Sequence, residues 1–335
     1  MTTLDNPPAK THEPRALRRG LFFRNTVYFV YFAPVVLLLL IGLKLPSVMT
    51  SQGLLSLMIL SAVLGIAAVG QTWAIIIAGI DLSIPAVIGL ACVVVTVRTL
   101  AGASFLSIVL WLVAFSLVVG VINGTLTSLL KVHPLVITLG VGAIVTGAVL
   151  LATGGNTGGL VPDFVTSAVS PIGKTGFIPL PPAVSIWIAI SVLVLVIERR
   201  TSFGRRLFAL GSNPRAAGYA LIRATVVRIG VYTASALCAS IAGVLLAGFS
   251  GAAAADIGVP YMFKTLMAVV VGGTSLLGGR GSYSRTIAGV LLTTEFTMLL
   301  IGFSIDASLQ QVFLGVAILI LIAIYGRDRH VAQRL

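Results

Sequence analysis

The chain has 335 residues, of which 58% are hydrophobic and 9% are charged, and its formal net charge is +13. Soluble domains carry roughly 25% charged residues, so this composition excludes an ordinary soluble protein and predicts an all-α polytopic membrane protein. We find no segment of about ten residues with alternating polarity, which excludes a membrane β-barrel.

Long apolar runs follow one another along the chain, and at ~20 residues per crossing they predict about ten transmembrane helices. The transmembrane domain is expected at residues 27–325, between a basic N-terminal segment, residues 1–26, and a short C-terminal tail, residues 326–335. The predicted spans are 27–43, 53–77, 82–97, 105–130, 134–153, 183–197, 225–250, 262–277, 286–303 and 309–325.

The basic residues indicate how these helices are oriented. If both termini lie in the cytoplasm, all but four of the 22 lysines and arginines fall on the inner side, as the positive-inside rule requires. The exceptions are Lys44, Arg98, Lys174 and Lys264. Because anionic lipid headgroups attract such a basic band, the net charge requires no nucleic-acid partner.

Two long polar loops interrupt the apolar runs. The first, residues 154–182, is expected in the periplasm, with a short surface helix beginning at Asp163. The second, residues 198–224, is rich in arginine and expected in the cytoplasm, where Ser212 or Asn213 can cap a helix with Pro214 in its first turn. Such a helix suits docking to a partner protein, although a solvated basic loop without a partner is an alternative.

The order of the spans indicates a weak internal symmetry. The second to fifth spans and the seventh to tenth form two blocks of opposite orientation, and Asp81 and Asp256 each follow the first helix of a block. Inverted repeats produce this arrangement in many transporters. Since the two blocks are poorly similar in sequence, unrelated halves remain an alternative.

Several short motifs occur in the order typical of one transporter family. They are GQT at 70–72, GIDLS at 79–83, NG at 123–124, PLVITLG at 134–140, FGRR at 203–206, NPRAA at 213–217, VGGTSLLGGRGS at 271–282 and QQ at 310–311. On these motifs the chain resembles, over roughly residues 52–325, the permease subunit of bacterial ATP-binding-cassette (ABC) sugar importers of the ribose/xylose/arabinose type.

The resemblance implies a type II-like ABC importer permease fold in the bacterial inner membrane. It implies a separate cytoplasmic ATPase, a periplasmic sugar-binding protein and a second permease, either an identical copy or a paralogue. The sequence itself offers no nucleophile–base pairing, metal set or strand-borne cofactor loop, so we expect no cofactor and no catalytic residue in this chain. The residues that the resemblance assigns to coupling with the ATPase are Gly204, Arg205, Arg206, Asn213, Pro214, Arg215, Ala216 and Ala217.

The chain departs from the family pattern at several positions, which leaves the substrate open. Arg215 stands where an acidic residue is frequent and Leu221 lies near a usual glycine. Met262 and Lys264 replace an acidic pair, and Glu295 stands where asparagine is frequent.

Five polar side chains within the apolar runs are candidates for the translocation pathway: Gln71, Asp81, Asn123, Thr138 and Glu295. A carboxylate in a membrane span is costly, so Asp81 and Glu295 are functional candidates by default. Each has a structural alternative. Asp81 or Ser83 can cap the helix that begins near Pro85, Glu295 can pair with Lys264, and the neutral groups can bond between helices, at roughly 0.6 kcal/mol each.

Two other functions are alternatives to an ABC permease. A secondary transporter would use Asp81 and Glu295 as proton carriers, and a permease of the same family could serve nucleosides or branched-chain amino acids. A degenerate phosphate loop at residues 168–175 follows no strand and contains proline, so we expect no nucleotide site and no ATPase activity in this chain.

Overall fold

The structure, a computed structural model, describes residues 15–130, 132–155 and 158–330. The predicted N-terminal segment and C-terminal tail lie partly outside this described range, at residues 1–14 and 331–335. Thirteen α-helices cover most of it. They are α1 (Arg15–Lys44), α2 (Ser51–Ile76), α3 (Ile84–Leu100), α4 (Phe105–Leu129), α5 (Pro134–Thr153), α6 (Asp163–Ala168), α7 (Pro182–Arg200), α8 (Ser202–Ser212), α9 (Pro214–Tyr219), α10 (Ala224–Ser250), α11 (Val259–Val271), α12 (Tyr283–Gly302) and α13 (Ala307–His330).

Six of these helices are long and apolar enough to cross a membrane, namely α2, α4, α5, α7, α10 and α12. Shorter apolar helices lie at Val30–Lys44, Ile84–Leu100, Val259–Val271 and Ala307–Ile320. The chain is therefore a multi-pass protein whose described residues form helices and no strands, as its composition predicts. The exact number of spans and the inverted repeats stay predictions.

Helix α10 is the centre of the packing and contacts α2, α3 and α4 extensively. Small side chains bring these helices close together. Gly70 of α2 lies directly against Ser235 of α10, and a Cβ at Gly120 of α4 would overlap the backbone of Thr233. Close contact between backbones is how helices associate in lipid, where apolar burial supplies no driving force.

A second group of helices packs around α12. Helix α12 contacts α1, α2 and α11, and α11 also contacts α13. Helix α2 belongs to both groups, and 18-residue windows of α2 and α10 are 67% and 56% buried, against 28% for α4. Helices α2 and α10 therefore form the interior, and α4 presents a broad apolar surface.

The two polar loops contain helices of their own. In the first, α6 begins at Asp163 as predicted, and Val165 packs against Gly248 of α10. In the second, α7 continues to Arg200, so the first three residues assigned to the loop are helical. The amphipathic helix α8 and the shorter α9 then follow before α10 begins.

Candidate functional site

The segment between α2 and α3, residues 77–83, carries Asp81 into the interior, where its side chain is 3% exposed. Ser83 donates from its backbone N–H and its hydroxyl to Oδ1 of Asp81, at 2.9 and 2.5 Å. Ser235 of α10 donates its hydroxyl to Oδ2 at 2.6 Å. Three donors therefore surround the carboxylate, which compensates for its removal from water.

Two further helices hold the same segment. Asn123 of α4 donates its amide to the hydroxyl oxygen of Ser83 at 2.8 Å. Thr138 of α5 donates to the carbonyl of Ile80 at 3.0 Å and accepts from the N–H of Leu82 at 3.0 Å. Three of the five pathway candidates, Asp81, Asn123 and Thr138, thus belong to one cluster, and their hydrogen bonds are structural ones within the chain.

The expectation that Asp81 or Ser83 caps α3 is wrong in its detail. Ser83 occupies the N-cap position, yet its side chain accepts no hydrogen bond from the first turn of α3. The hydroxyl donates to Asp81 instead, and Asp81 satisfies the backbone N–H of Ser83 itself. The carboxylate therefore fixes the approach to the helix.

Glu295 and Gln71 form no hydrogen bond with this cluster. Glu295 of α12 is 2% exposed and its Oε2 has no hydrogen-bond partner. It does not pair with Lys264, whose ammonium group lies 5.5 Å from the ring centre of Tyr261. Gln71 of α2 is fully buried, and within the described residues neither amide atom has a partner. The alternative pairing of Glu295 with Lys264 is therefore not seen, and both side chains lie in the interior with polar atoms that no described group satisfies.

The residues assigned to ATPase coupling form a two-helix arm, α8 and α9. Asn213 caps α9, with its side-chain oxygen accepting from the N–H groups of Arg215 and Ala216 at 3.0 and 3.1 Å, which confirms one of the two predicted caps. Ala217 is the buried residue of α9, while Tyr219 and Leu221 are 91% and 88% exposed. The exposed surface also includes Arg205, Arg206, Arg215 and Ala216.

The arm contacts the segment that carries Asp81 through a glycine-rich turn, residues 278–281, which we call the glycine turn. Gly279 donates its N–H to the carbonyl of Ile76, at the end of α2, at 2.8 Å. A Cβ at Gly211, in the last turn of α8, would overlap that same carbonyl. The carbonyl of Ile76 is therefore the point where the ends of α2 and α8 meet this turn. Ile76 precedes Ile80, the first residue of the Asp81 cluster, by four positions.

Glu198 is a buried carboxylate that sequence reasoning missed. It lies in the last turn of α7, 6% exposed, and accepts from the indole Nε1–H of Trp73 on α2 at 3.0 Å. Its two oxygens also accept from the backbone N–H of Tyr283, at 3.2 and 3.1 Å, where α12 begins. Because acidic groups stabilise the N-terminus of a helix, Glu198 joins α7 to α2 and α12.

The arm reaches this junction directly. Phe203, in the first turn of α8, packs against Trp73 with ring centres 5.5 Å apart. The hydroxyl of Tyr283 donates to the carbonyl of Gly65 at 2.9 Å and accepts from Trp187 of α7 at 3.0 Å. The sequence signal for Glu198 was a carboxylate at the end of an apolar run, masked by the two arginines that follow it.

Comparison with known proteins places the chain among permeases. Residues 53–323 match the family described as the branched-chain amino acid transport system / permease component. The ribose import permease protein RbsC of Bacillus subtilis is 32% identical over 85% of this chain and 88% of its own length. The D-allose transport system permease protein AlsC of Escherichia coli is 31% identical over 85% of this chain and 87% of its own length.

A third relative, the galactofuranose transporter permease protein YtfT of Escherichia coli, is 31% identical over 80% of this chain and 77% of its own length. No solved structure matches the chain. The family match extends over most of the apolar helices, both polar loops and the Asp81 cluster. The chain belongs to the family of permease components of the branched-chain amino acid transport system type.

Proposed function

We propose that this chain is the transmembrane permease subunit of an ABC importer and forms the pathway for a monosaccharide or related polyol. A periplasmic binding protein delivers the solute, and a separate cytoplasmic ATPase supplies the energy. The pore contains two permeases, either two copies of this chain or this chain and a paralogue. Both termini lie in the cytoplasm.

The observation that carries the proposal is the arm formed by α8 and α9. It exposes three arginines and Tyr219, and Leu221 is exposed just after α9, while its other face contacts the end of α2 and, at Gly279, the glycine turn that precedes α12. An exposed basic and apolar surface suits binding to another protein, and rigid attachment to two spans suits the transfer of motion.

The substrate class is supported by the relatives and by the polar interior. The relatives are named for ribose, D-allose and galactofuranose, which are all uncharged polyhydroxylated solutes. Although the family description mentions branched-chain amino acids, such a substrate would need fixed partners for both of its charges. Glu295 and Gln71, with unpartnered oxygen or amide atoms, are instead suited to hydroxyl groups.

In this proposal ATP binding closes the paired ATPases and moves each arm with its ATPase. The movement reaches α2 and α12 at the junction of Glu198, Trp73 and Phe203. The pathway then changes from inward to outward access, and the periplasmic loop around Asp163 receives the binding protein.

Reconstitution tests the function directly. The chain, the ATPase and the binding protein encoded in the same genomic neighbourhood are placed in liposomes, and uptake of radiolabelled D-ribose and D-allose is measured. We expect uptake only with ATP and with all three proteins, and none with an ATPase that binds but does not hydrolyse ATP. Uptake by the chain alone under a proton gradient would instead establish the secondary transporter.

A further inference from the structure

The segment between α10 and α11, residues 251–258, returns into the helical layer along α3. Cys92 donates its thiol to the carbonyl of Ala252 at 3.6 Å. Three residues later, the carbonyl of Ala255 lies so close to Gly89 that a Cβ there would overlap it, and the carbonyl of Pro85 lies equally close to Gly258. The contacts move steadily from the middle of α3 to its beginning as the segment advances.

Packing against α10 gives the depth that the segment reaches. A Cβ at Gly243 of α10 would overlap the carbonyl of Ile88, the residue before Gly89. Gly243 lies seven residues before Ser250, the last residue of α10, which at 1.5 Å per residue is about 10 Å along the helix. With α10 ending at the boundary of the hydrocarbon layer, which is about 30 Å thick, residues 255–258 lie about 10 Å inside it.

Asp256 is located in this deep segment, and its side chain faces outward from the chain. The residue is exposed, and Val259, three residues further on, is 45% exposed. The backbone carbonyl of Asp256 accepts from the N–H of Val259 at 2.9 Å. Within the described residues, the carboxylate itself forms no hydrogen bond and no ion pair.

A carboxylate at this depth cannot face hydrocarbon without a large desolvation penalty, and no group in the described part of this chain relieves it. The surface at Asp256 must therefore adjoin water or a polar group from outside this chain. In a permease of the kind proposed above, the water inside the layer is in the translocation pathway between two permease subunits.

We propose that Asp256 lines the water-filled translocation pathway and accepts hydrogen bonds from the hydroxyl groups of an uncharged polyol in transit. An ionised carboxylate offers two oxygens and about four acceptor sites, enough to bond two neighbouring hydroxyls at once. The assignment rests on the proposed function, and it identifies the face of the chain, at the start of α11, that borders the pathway.

Cysteine accessibility tests the assignment in the complete complex. Cys92 and Cys238 are replaced by alanine, Asp256→Cys is introduced, and the rate of modification by a membrane-impermeant, charged methanethiosulfonate reagent is measured in proteoliposomes. The matched control is Leu117→Cys on α4, which is 45% exposed on the apolar surface of that helix.

We expect Asp256→Cys to react at least about tenfold faster than the control, because a thiol ionises and reacts only where water reaches it. We also expect the rate to change severalfold when ATP and vanadate trap the ATPase, since a pathway alternates between open and closed. A rate equal to that of Leu117→Cys would overturn the assignment, because lipid or a second subunit would then cover the site. A fast rate that the trap leaves unchanged would overturn it too.

A second variant and a separate uptake measurement ensure that the labelling experiment gives a clear result. If Asp256→Cys does not assemble, Val259→Cys probes the same surface with the same expectations. ATP-dependent uptake by the cysteine-free parent is measured separately, so a failure of the proposed function appears there and a failure of the Asp256 assignment appears only in the labelling rates.

Discussion

Two short segments with the same sequence spacing lead into two of the shorter apolar helices, and their aspartates have opposite surroundings. Asp81 precedes Pro85 by four residues and Asp256 precedes Pro260 by four, and each proline lies in the first turn of the helix that follows, α3 or α11. Asp81 is 3% exposed and accepts three hydrogen bonds, whereas Asp256 is exposed.

The difference comes from the neighbouring helices. Helices α4, α5 and α10 surround the first segment and contribute Asn123, Thr138 and Ser235 to it. The second segment lies against α3 on one side and is open on the other. One local pattern therefore supplies a structural carboxylate where helices cover it and, by our proposal, a solute-binding carboxylate where they do not.

The largest expected effect is that of Asp81→Ala. The change leaves the N–H and hydroxyl of Ser83 and the hydroxyl of Ser235 without an acceptor in the interior, and we expect a loss of stability of ~3 kcal/mol or more. Thermal unfolding in detergent measures it.

Asp81→Asn provides the control because it keeps an acceptor oxygen and the shape of the side chain. We expect it to retain most of the stability and most of the uptake. If Asp81→Asn folds normally and transports nothing, the charge of Asp81 is itself required for transport. Asp81 is then not a purely structural carboxylate, and its contrast with Asp256 fails.

Glu198→Ala tests a second buried carboxylate of the Asp81 kind, one that joins spans to the arm. It removes the acceptor for Trp73 and for the N–H of Tyr283, and we expect a loss of ~2 kcal/mol. We also expect ATP hydrolysis by the complex to continue while sugar uptake falls, because the arm would no longer move α12. Hydrolysis and uptake are measured in the same proteoliposomes.

Trp73→Phe is the matched variant for this junction, since it retains a ring against Phe203 while it loses the N–H donor and part of the ring volume. It should reproduce a smaller part of the loss in uptake. If both variants lower hydrolysis and uptake in the same proportion, Glu198 contributes to stability alone and carries no motion.

Asp256→Asn should behave in the opposite manner to the changes at Asp81. Because the carboxylate has no partner in the described part of this chain, we expect the unfolding temperature to change little. Loss of charged hydrogen bonds to the solute should raise the KM for uptake about tenfold. Uptake kinetics over a range of binding-protein concentrations measure this, and an unchanged KM with a lowered unfolding temperature would make Asp256 a structural residue.

The sequence predicted much of the fold because apolar runs, caps and charge asymmetry are local signals. Eight of the ten apolar segments coincide with α-helices to within about five residues, and Asn213 caps its helix as its position before Pro214 predicts. The other two bounds are wrong: the helix of segment 27–43 begins at Arg15, and the helix of segment 262–277 ends at Val271, where a glycine-rich turn follows. The meeting of Asp81, Asn123 and Ser235 was not predictable, because these residues are separated by 42 or more positions and only helix packing brings them together.

The exposure of Asp256 and the burial of Glu198 were hidden for related reasons. Asp256 lies in a run of small residues that resembles an outer turn, and nothing in that run signals its return along α3. Glu198 stands beside Arg199 and Arg200, so its composition suggested a solvated loop, although the helix turns the carboxylate inward towards Trp73.

The smallest expected effects concern the backbone where each aspartate-bearing segment begins. Helix α2 is followed by Ala78 at φ 59°, and α10 is followed by Gly251 at φ 65°. Left-handed backbone costs a residue with a Cβ roughly 1 kcal/mol, and glycine avoids this cost. Nothing lies within 4 Å of a Cβ built at Gly251, so Gly251→Ala should lower stability by that amount through conformation alone.

Ala78→Gly is the reverse change, and its result should be close to neutral. Relief of the left-handed strain is offset by the greater chain entropy of glycine in the unfolded state, at about 0.4–1 kcal/mol. Unfolding midpoints of the two variants, measured side by side, test this. A different result would be a neutral Gly251→Ala together with a clearly destabilising Ala78→Gly. The contact of the Ala78 Cβ with Gly278 would then hold the Asp81 segment in place. Packing, and not backbone strain, would in that case distinguish the beginnings of the two segments.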